Sequence, residues 1–180
     1  APPAEHTAVL FHDFVLPISS PENTRRICVQ PRRDRLEGFP LLHLDFYRND
    51  PAIPSWPRWI KARRLKRTAP ERGMRFQRID AAVEAVLADA GATLCGIALL
   101  SDLVDEKRLS FPFPVATGGW TRHAFQVRFR ANVLARLQVR RFKAWLEAEA
   151  DATRRWLAET VGAASPLGYE QASVRGASRQ

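Results

Sequence analysis

Seven consecutive residues, Thr93-Leu94-Cys95-Gly96-Ile97-Ala98-Leu99, carry no charge. A strand with one wet face alternates apolar and polar side chains. An unbroken apolar run of this length, set between Gly91 and Ser101-Asp102, reads instead as a strand buried on both faces. Just upstream, Ala82, Val83, Val86, Leu87 and Ala90 recur at helical spacing behind a candidate cap at Asp80, and Gly91 ends that helix. A helix leading into a doubly covered strand points to an α/β chain.

The remaining segments fit that alternation. Ala8 to Leu16 reads as a strand interrupted at His12-Asp13. Ser20-Pro21-Glu22 starts a helix: the serine can cap, the proline suits the first position and the glutamate faces the positive end of the dipole. Asp34 to Gly38 suggests one further turn closed by glycine. Leu41 to Phe46 reads as a buried strand, Pro51, Pro54 and Pro57 mark a loop, and a helix follows from Trp56 to Arg64. Met74 to Phe76, Arg108 to Phe111 and His123 to Phe129 read as strands, the last two separated by Gly118-Gly119. The longest helix is expected over 132–158, with an apolar stripe of Val133, Leu134, Leu137, Phe142, Trp145, Leu146, Trp156 and Leu157. Residues 163–180 lack periodicity and read as a disordered tail.

Charge is distributed unevenly. Of 28 basic and 19 acidic residues, 14 and five fall within 25–75, so that segment alone accounts for the net +9. Its densest part is Lys61-Ala62-Arg63-Arg64-Leu65-Lys66-Arg67. Clustered cations release counterions from phosphate, which makes residues 58–75 a candidate nucleic-acid segment. The alternative is a solvated basic face, because Trp56 and Trp59 precede the block rather than interleave with it.

No apolar run approaches the ~20 residues that cross a bilayer, so no membrane span is expected. The opening Ala-Pro-Pro-Ala-Glu lacks the basic and apolar regions of a signal peptide. Cys28 and Cys95 match no zinc spacing and suggest a reducing compartment. Cys95 reads as a small core residue, whereas Cys28 lies beside Arg25 and Arg26, which would favour a thiolate. The four histidines His6, His12, His43 and His123 form no helical pair, and no phosphate-cradling or nucleophile-elbow glycine motif is present. Asp80 and Glu84 share a helix face, a spacing open to acid–base work but more simply a cap and a solvated carboxylate. These residues argue for binding rather than turnover. The expectation is no enzyme, no cofactor and no metal.

Four stretches, in order over about residues 10–150, resemble the effector-binding domain of LysR-type transcriptional regulators, in the branch that includes the glycine-cleavage activator. They are Val15-Leu16-Pro17-Ile18-Ser19-Ser20-Pro21; Leu36 to His43 followed by Trp56-Pro57-Arg58-Trp59-Ile60; Phe76 to Leu99 closing on Gly96-Ile97-Ala98-Leu99; and Leu109 to Phe113 followed by Arg141 to Glu147. The sequence departs from the family pattern at Leu94-Cys95, in the strand from His123 to Phe129, and in the density of the basic block.

The resemblance implies a periplasmic-binding-protein-like, type II α/β fold: the second lobe plus the C-terminal part of the first. On that reading, residues 1–16 end the first lobe and form a hinge strand, 17–118 are the second lobe, 119–160 are the return strand and long helix of the first lobe, and 161–180 are tail. It implies a small-molecule effector held between lobes, with Phe76, Gln77, Arg78, Ala98 and Leu99 contributing from the second lobe. There Phe76 forms a wall and Arg78 pairs a carboxylate. Hinge residues would be Pro17, Ile18, Ser19, Gly118 and Gly119.

It further implies a cytoplasmic homo-oligomer that reaches DNA only through a domain absent from these 180 residues. In the family a winged helix-turn-helix, a linker helix and half of one lobe come first, so the chain looks like the downstream part of a regulator. Such a fragment is expected to bind effector weakly or not at all, and to self-associate through Phe142, Trp145 and Leu146. The rival readings are a nucleic-acid-binding protein using 58–75 and an uncharacterised α/β enzyme.

Overall fold

In the computed structural model, which describes residues 5–45 and 55–162, the chain divides into two units. One comprises Ala1–Asp13 with Arg122–Gln180, and the other Phe14–Thr121. Both divisions fall inside long strands: β1 (Glu5–Ile18) and β5 (Gly119–Arg130). Between them run α1 (Pro21–Cys28), β2 (Leu41–Leu44), α2 (Trp56–Ala62), β3 (Met74–Phe76), α3 (Ile79–Leu87), β4 (Ala92–Gly96) and α4 (Ser101–Asp105), and α5 (Leu137–Val161) follows β5. The strand order is β3-β2-β4-β1-β5. Strand β2 is parallel to both β3 and β4, whereas β1 runs antiparallel to β4, pairing Val15 with Gly96 and Ile18 with Thr93.

In the Phe14–Thr121 unit the apolar runs become the core as their patterning requires. All five residues of β4 are buried, and Val15, Leu16 and Ile18 of β1 are fully so. Ile27, Leu36, Phe39, Leu41, Trp56, Trp59 and Phe113 join Val15 and Leu94 in one cluster. The cap on α1 forms as the sequence predicts: Asn23 N donates to Ser20 Oγ at 3.1 Å. That hydroxyl also donates to Asp89 Oδ1, and Asn23 Nδ2 donates to Asp89 O at 3.0 Å. Asp89 follows α3 with φ 60°, so the start of one helix is tied to the end of another.

Two glycines hold the sheet together by close approach. A Cβ on Gly73, whose φ is +156°, would stand 2.0 Å from the Leu41 carbonyl oxygen. A Cβ on Gly118 would stand 2.2 Å from the Phe14 ring. Gly118 itself is extended, at φ −79° and ψ −172°, so it is glycine for space and not for an unusual backbone.

Described residues of the other unit come from β1, β5 and α5. Its buried side chains include Leu10, Phe11, Phe129, Ala150 and Leu157, Phe11 stacks on Phe125 at 4.8 Å, and Arg154 donates to the Leu10 carbonyl.

Several expectations are corrected. The first strand is continuous through His12-Asp13, because backbone pairing holds it there and buries Asp13. Strand β4 stops at Gly96, where Ile97 to Leu100 turn and Leu100 N bonds Ile97 O at 2.9 Å. No strand forms at Arg108–Phe111; Ser110 makes only a bridge to Ser19, through two bonds of 3.0 and 2.8 Å. Helix α3 begins two residues earlier than a cap at Asp80 would place it, at Ile79 behind Arg78. Helix α5 begins at Leu137, not 132, because Ala131–Val133 form a tighter 3₁₀ turn. The stretch with Phe46, Pro51 and Pro54 and the tail 163–180 lie outside the described residues.

Candidate functional site

Because β3, β2 and β4 are parallel, their carboxyl ends share one sheet edge, the edge where open α/β sheets receive ligands. Phe76 ends β3 and Gln77-Arg78 follow it, while Ile97-Ala98-Leu99 follow β4. The topology therefore brings the two expected groups, Phe76–Arg78 and Ala98–Leu99, to the same edge. Strand β2 stands between them, about 10 Å from one outer strand to the other at ordinary strand spacing. Phe14 joins this edge: its carbonyl accepts from Ile97 N at 3.1 Å.

The side chains differ in what they offer. Phe76 is half-buried and Ala98 buried, whereas Leu99 is 67% exposed, an apolar side chain left in water on this edge. Arg78 is exposed and already engaged. Its Nε donates to Asp80 Oδ1 at 2.9 Å, and its Nη2 to the other carboxylate oxygen. The guanidinium holds the Asp80 carboxyl below its ordinary range, and Asp80 Oδ1 also accepts from Ala81 N at 2.9 Å. An anion approaching α3 here would exchange with Asp80 rather than meet free donors.

Sequence reasoning missed Asp45, which sits at the end of β2 between the two groups. Its Oδ1 accepts from Arg75 Nη1 at 2.9 Å, and its Oδ2 faces Gln77 Nε2 at 3.5 Å. Only strand register, not spacing, brings it beside Gln77, which lies 32 residues away.

The expected hinge residues lie inside the Phe14–Thr121 unit. Pro17, Ile18 and Ser19 are buried, and Ser19 Oγ lies 2.6 Å from Thr24 Oγ1. Gly118 packs under Phe14, whereas Gly119 has nothing within 4 Å of an added Cβ.

The basic block does several jobs. The Arg63 guanidinium lies 4.5 Å over the Trp59 ring and donates to the Thr117 carbonyl, which also accepts from Trp59 Nε1 at 3.0 Å. Burial pushes the Arg63 guanidinium down from its ordinary value. Arg67 Nη1 donates to Leu36 O at 2.7 Å. Lys61, Arg64 and Lys66 are exposed. Two of the five cations therefore stitch the unit together.

A cavity of about 340 Å³ opens beside His43, Asp45, Trp56, Arg58 and Arg75; residues 46–54, which connect Asp45 to Ser55 on its wall, are outside the described set. His43 Nε2 lies 3.3 Å from Arg72 O, and burial pushes its pKa down. A second cavity, about 280 Å³, is lined by Arg32, Arg35, Arg63, Leu65, Phe113 and Thr117 among others. Cys95 is buried and Cys28 exposed, and neither is joined in a disulfide. Among the described residues no group of three histidine, cysteine or acidic side chains could hold a metal ion, and no helix is long and apolar enough to cross a membrane.

No family profile and no curated protein sequence matches the chain. Solved structures do. It is similar to the effector domain of the transcriptional regulator AmpR of Pseudomonas aeruginosa, with 23% identity and a TM-score of 0.61 over 84% of this chain and 68% of that one. The AmpR effector-binding domain from Citrobacter freundii gives 21% identity and 0.59 over 82% and 68%. The regulatory domain of CrgA, a LysR-type transcriptional regulator from Neisseria meningitidis, gives 16% and 0.55 over 81% and 69%. With its parallel strands and reversed β1, the chain has the periplasmic-binding-protein-like, type II α/β fold of LysR effector-binding domains.

Proposed function

We propose that the chain is the effector-sensing part of a LysR-type transcriptional regulator and not an enzyme. The observation that carries this reading is the fold likeness to regulator effector domains over more than four-fifths of the chain. Two features support it: the gathering of Phe76, Gln77, Arg78, Ala98 and Leu99 on one carboxyl edge, and the passage of the chain through two strands between its two units. On this reading a small molecule binds at that edge. A carboxylate displaces Asp80 from Arg78, Phe76 and Leu99 supply apolar contact, and Asp45 and Gln77 supply polar contact. The strands crossing between units, at Asp13–Phe14 and Thr121–Arg122, bend as the effector selects one arrangement of the units over another. The protein works in the cytoplasm as a homo-oligomer, and DNA is held by a domain outside these 180 residues.

The test is transcriptional. In cells carrying the intact gene, a reporter driven by its target promoter is titrated with a panel of small carboxylic and amino acids. Arg78→Ala and Phe76→Ala each raise the half-maximal inducing dose about tenfold or more, the worth of one charge-assisted contact or one apolar wall, at unchanged protein level. A dose–response identical to wild type in both variants contradicts the site.

A further inference from the structure

The second cavity, at Arg32, Arg35 and Arg63, shares no residue with the carboxyl-edge group, and its chemistry is different. Two basic segments are zipped together here. Lys66 N donates to Arg33 O at 2.8 Å, Arg67 Nη1 to Leu36 O at 2.7 Å, and Thr68 N to Glu37 Oε2 at 2.9 Å. The pairing brings together Arg32, Arg33, Arg35, Lys61, Arg63, Arg64, Lys66 and Arg67 with only Asp34 and Glu37 among them. Glu37 is occupied by Thr68.

Among the described residues no carboxylate is ion-paired with Arg32, Arg35, Arg63 or Arg67, and the Nε atoms of Arg35, Arg63 and Arg67 are buried with no hydrogen-bond partner. A buried donor without an acceptor costs free energy, and like charges drawn together cost more. Aromatic faces offset part of this: Arg35 lies 5.9 Å over the Phe113 ring and Arg63 4.5 Å over Trp59. No counter-charge from the described residues lines the cavity.

We infer that this cavity is a binding site for a phosphate-bearing small molecule, its phosphate held by Arg32, Arg35 and Arg63 and its remainder against Phe113 and Leu65. Guanidinium forks match phosphate oxygens in geometry, and three of them suit a group carrying more than one negative charge. The concavity and apolar wall fit a compact ligand better than a nucleic-acid backbone, which would track exposed cations such as Lys61, Arg64 and Lys66. Because Arg63 also holds the Thr117 carbonyl, a ligand that draws on its guanidinium acts on the segment leading into β5. The inference stands whether or not the chain senses an effector at the carboxyl edge.

The experiment is calorimetric titration of the chain with pyrophosphate at physiological salt, alongside thermal unfolding. Pyrophosphate is expected to saturate a single site per chain and raise the melting temperature. Arg32→Ala, an exposed position that leaves the core alone, and Arg35→Gln each weaken binding about tenfold, the loss of one charge-assisted contact. Lys61→Ala, in the same basic stretch but off the cavity, changes it less than about twofold, as a screened surface charge should. The absence of saturable binding at millimolar pyrophosphate overturns the site, as do Arg32→Ala and Arg35→Gln chains that bind like wild type. A short DNA duplex that binds more tightly than pyrophosphate and is weakened by Lys61→Ala as much as by Arg32→Ala also overturns it, in favour of a diffuse phosphate-backbone surface.

Discussion

Trp59 joins more of its surroundings than any neighbour in the sequence would suggest. Its ring meets Trp56 and Phe113 edge to face at 5.7 and 4.9 Å, carries the Arg63 guanidinium, and sends its N–H to Thr117, 58 residues away. Trp59→Phe keeps most of the ring and leaves the Thr117 carbonyl one donor short, at a cost of about 1 kcal/mol. Trp59→Ala empties the site and costs about 3–5 kcal/mol. Urea unfolding separates the two, and equal losses would mean that the N–H, not the ring, dominates. His43 gives a pH dependence. Burial lowers its folded pKa below the ordinary 6.5, so the unfolded chain takes up the proton first. Stability from this group is complete above 6.5 and falls as pH drops from there toward the folded value. His43→Gln should flatten that slope between neutrality and the carboxylate range; an unchanged slope removes His43 as its source. At this scale the sequence is legible where partners are local. Ser20 reads as a cap because Asn23 is three residues away. Asp45, Arg63 and Thr117 were unreadable, because each meets its partner only after the sheet has assembled.

Strand β4 was readable from its unbroken apolarity, since no other placement hides five such residues. Arg108–Phe111 resembles a strand by composition, but strand identity needs a partner ladder, and only Ser110 pairs, in a single isolated bridge. The start of α5 was misplaced for a similar reason: Val133 and Leu134 continue the apolar stripe, yet the backbone there closes a tighter turn. Gly118-Gly119 read as a flexible pair, but the two positions are unlike. Gly118→Ala drives a methyl into the Phe14 ring and destabilises by about 1–3 kcal/mol, the usual penalty for overpacking, whereas Gly119→Ala meets open space and changes stability by less than about 0.5 kcal/mol. Denaturant midpoints of the two variants check this. Equal effects would show that backbone freedom, not room for Phe14, fixes both glycines.

Over the whole molecule, the α/β alternation was legible because it follows from periodicity, whereas the type II fold was legible only through the four stretches that resemble LysR effector-binding domains. The units divide at Asp13–Phe14 and Thr121–Arg122, and Pro17 to Ser19 are fixed within one of them by pairing with β4 and Ser110. Helix α5 leaves Phe142 50% and Trp145 56% exposed, in contact with each other at 5.8 Å. Burying each against a second copy is worth up to about 1.5–3 kcal/mol, so the chain should associate with rising concentration and Trp145→Glu should shift it to monomer. Sedimentation showing a monomer at all concentrations would remove that surface. The central claim is that the carboxyl edge of β3, β2 and β4 senses a small molecule, and hydrogen exchange of the intact regulator titrated with small carboxylic and amino acids tests it most directly, because it reads protection segment by segment. The account predicts that a compound that changes transcription from the target promoter slows exchange in the segments holding 76–78 and 97–99. An active compound that leaves those segments unprotected, or that protects only segments elsewhere, contradicts it.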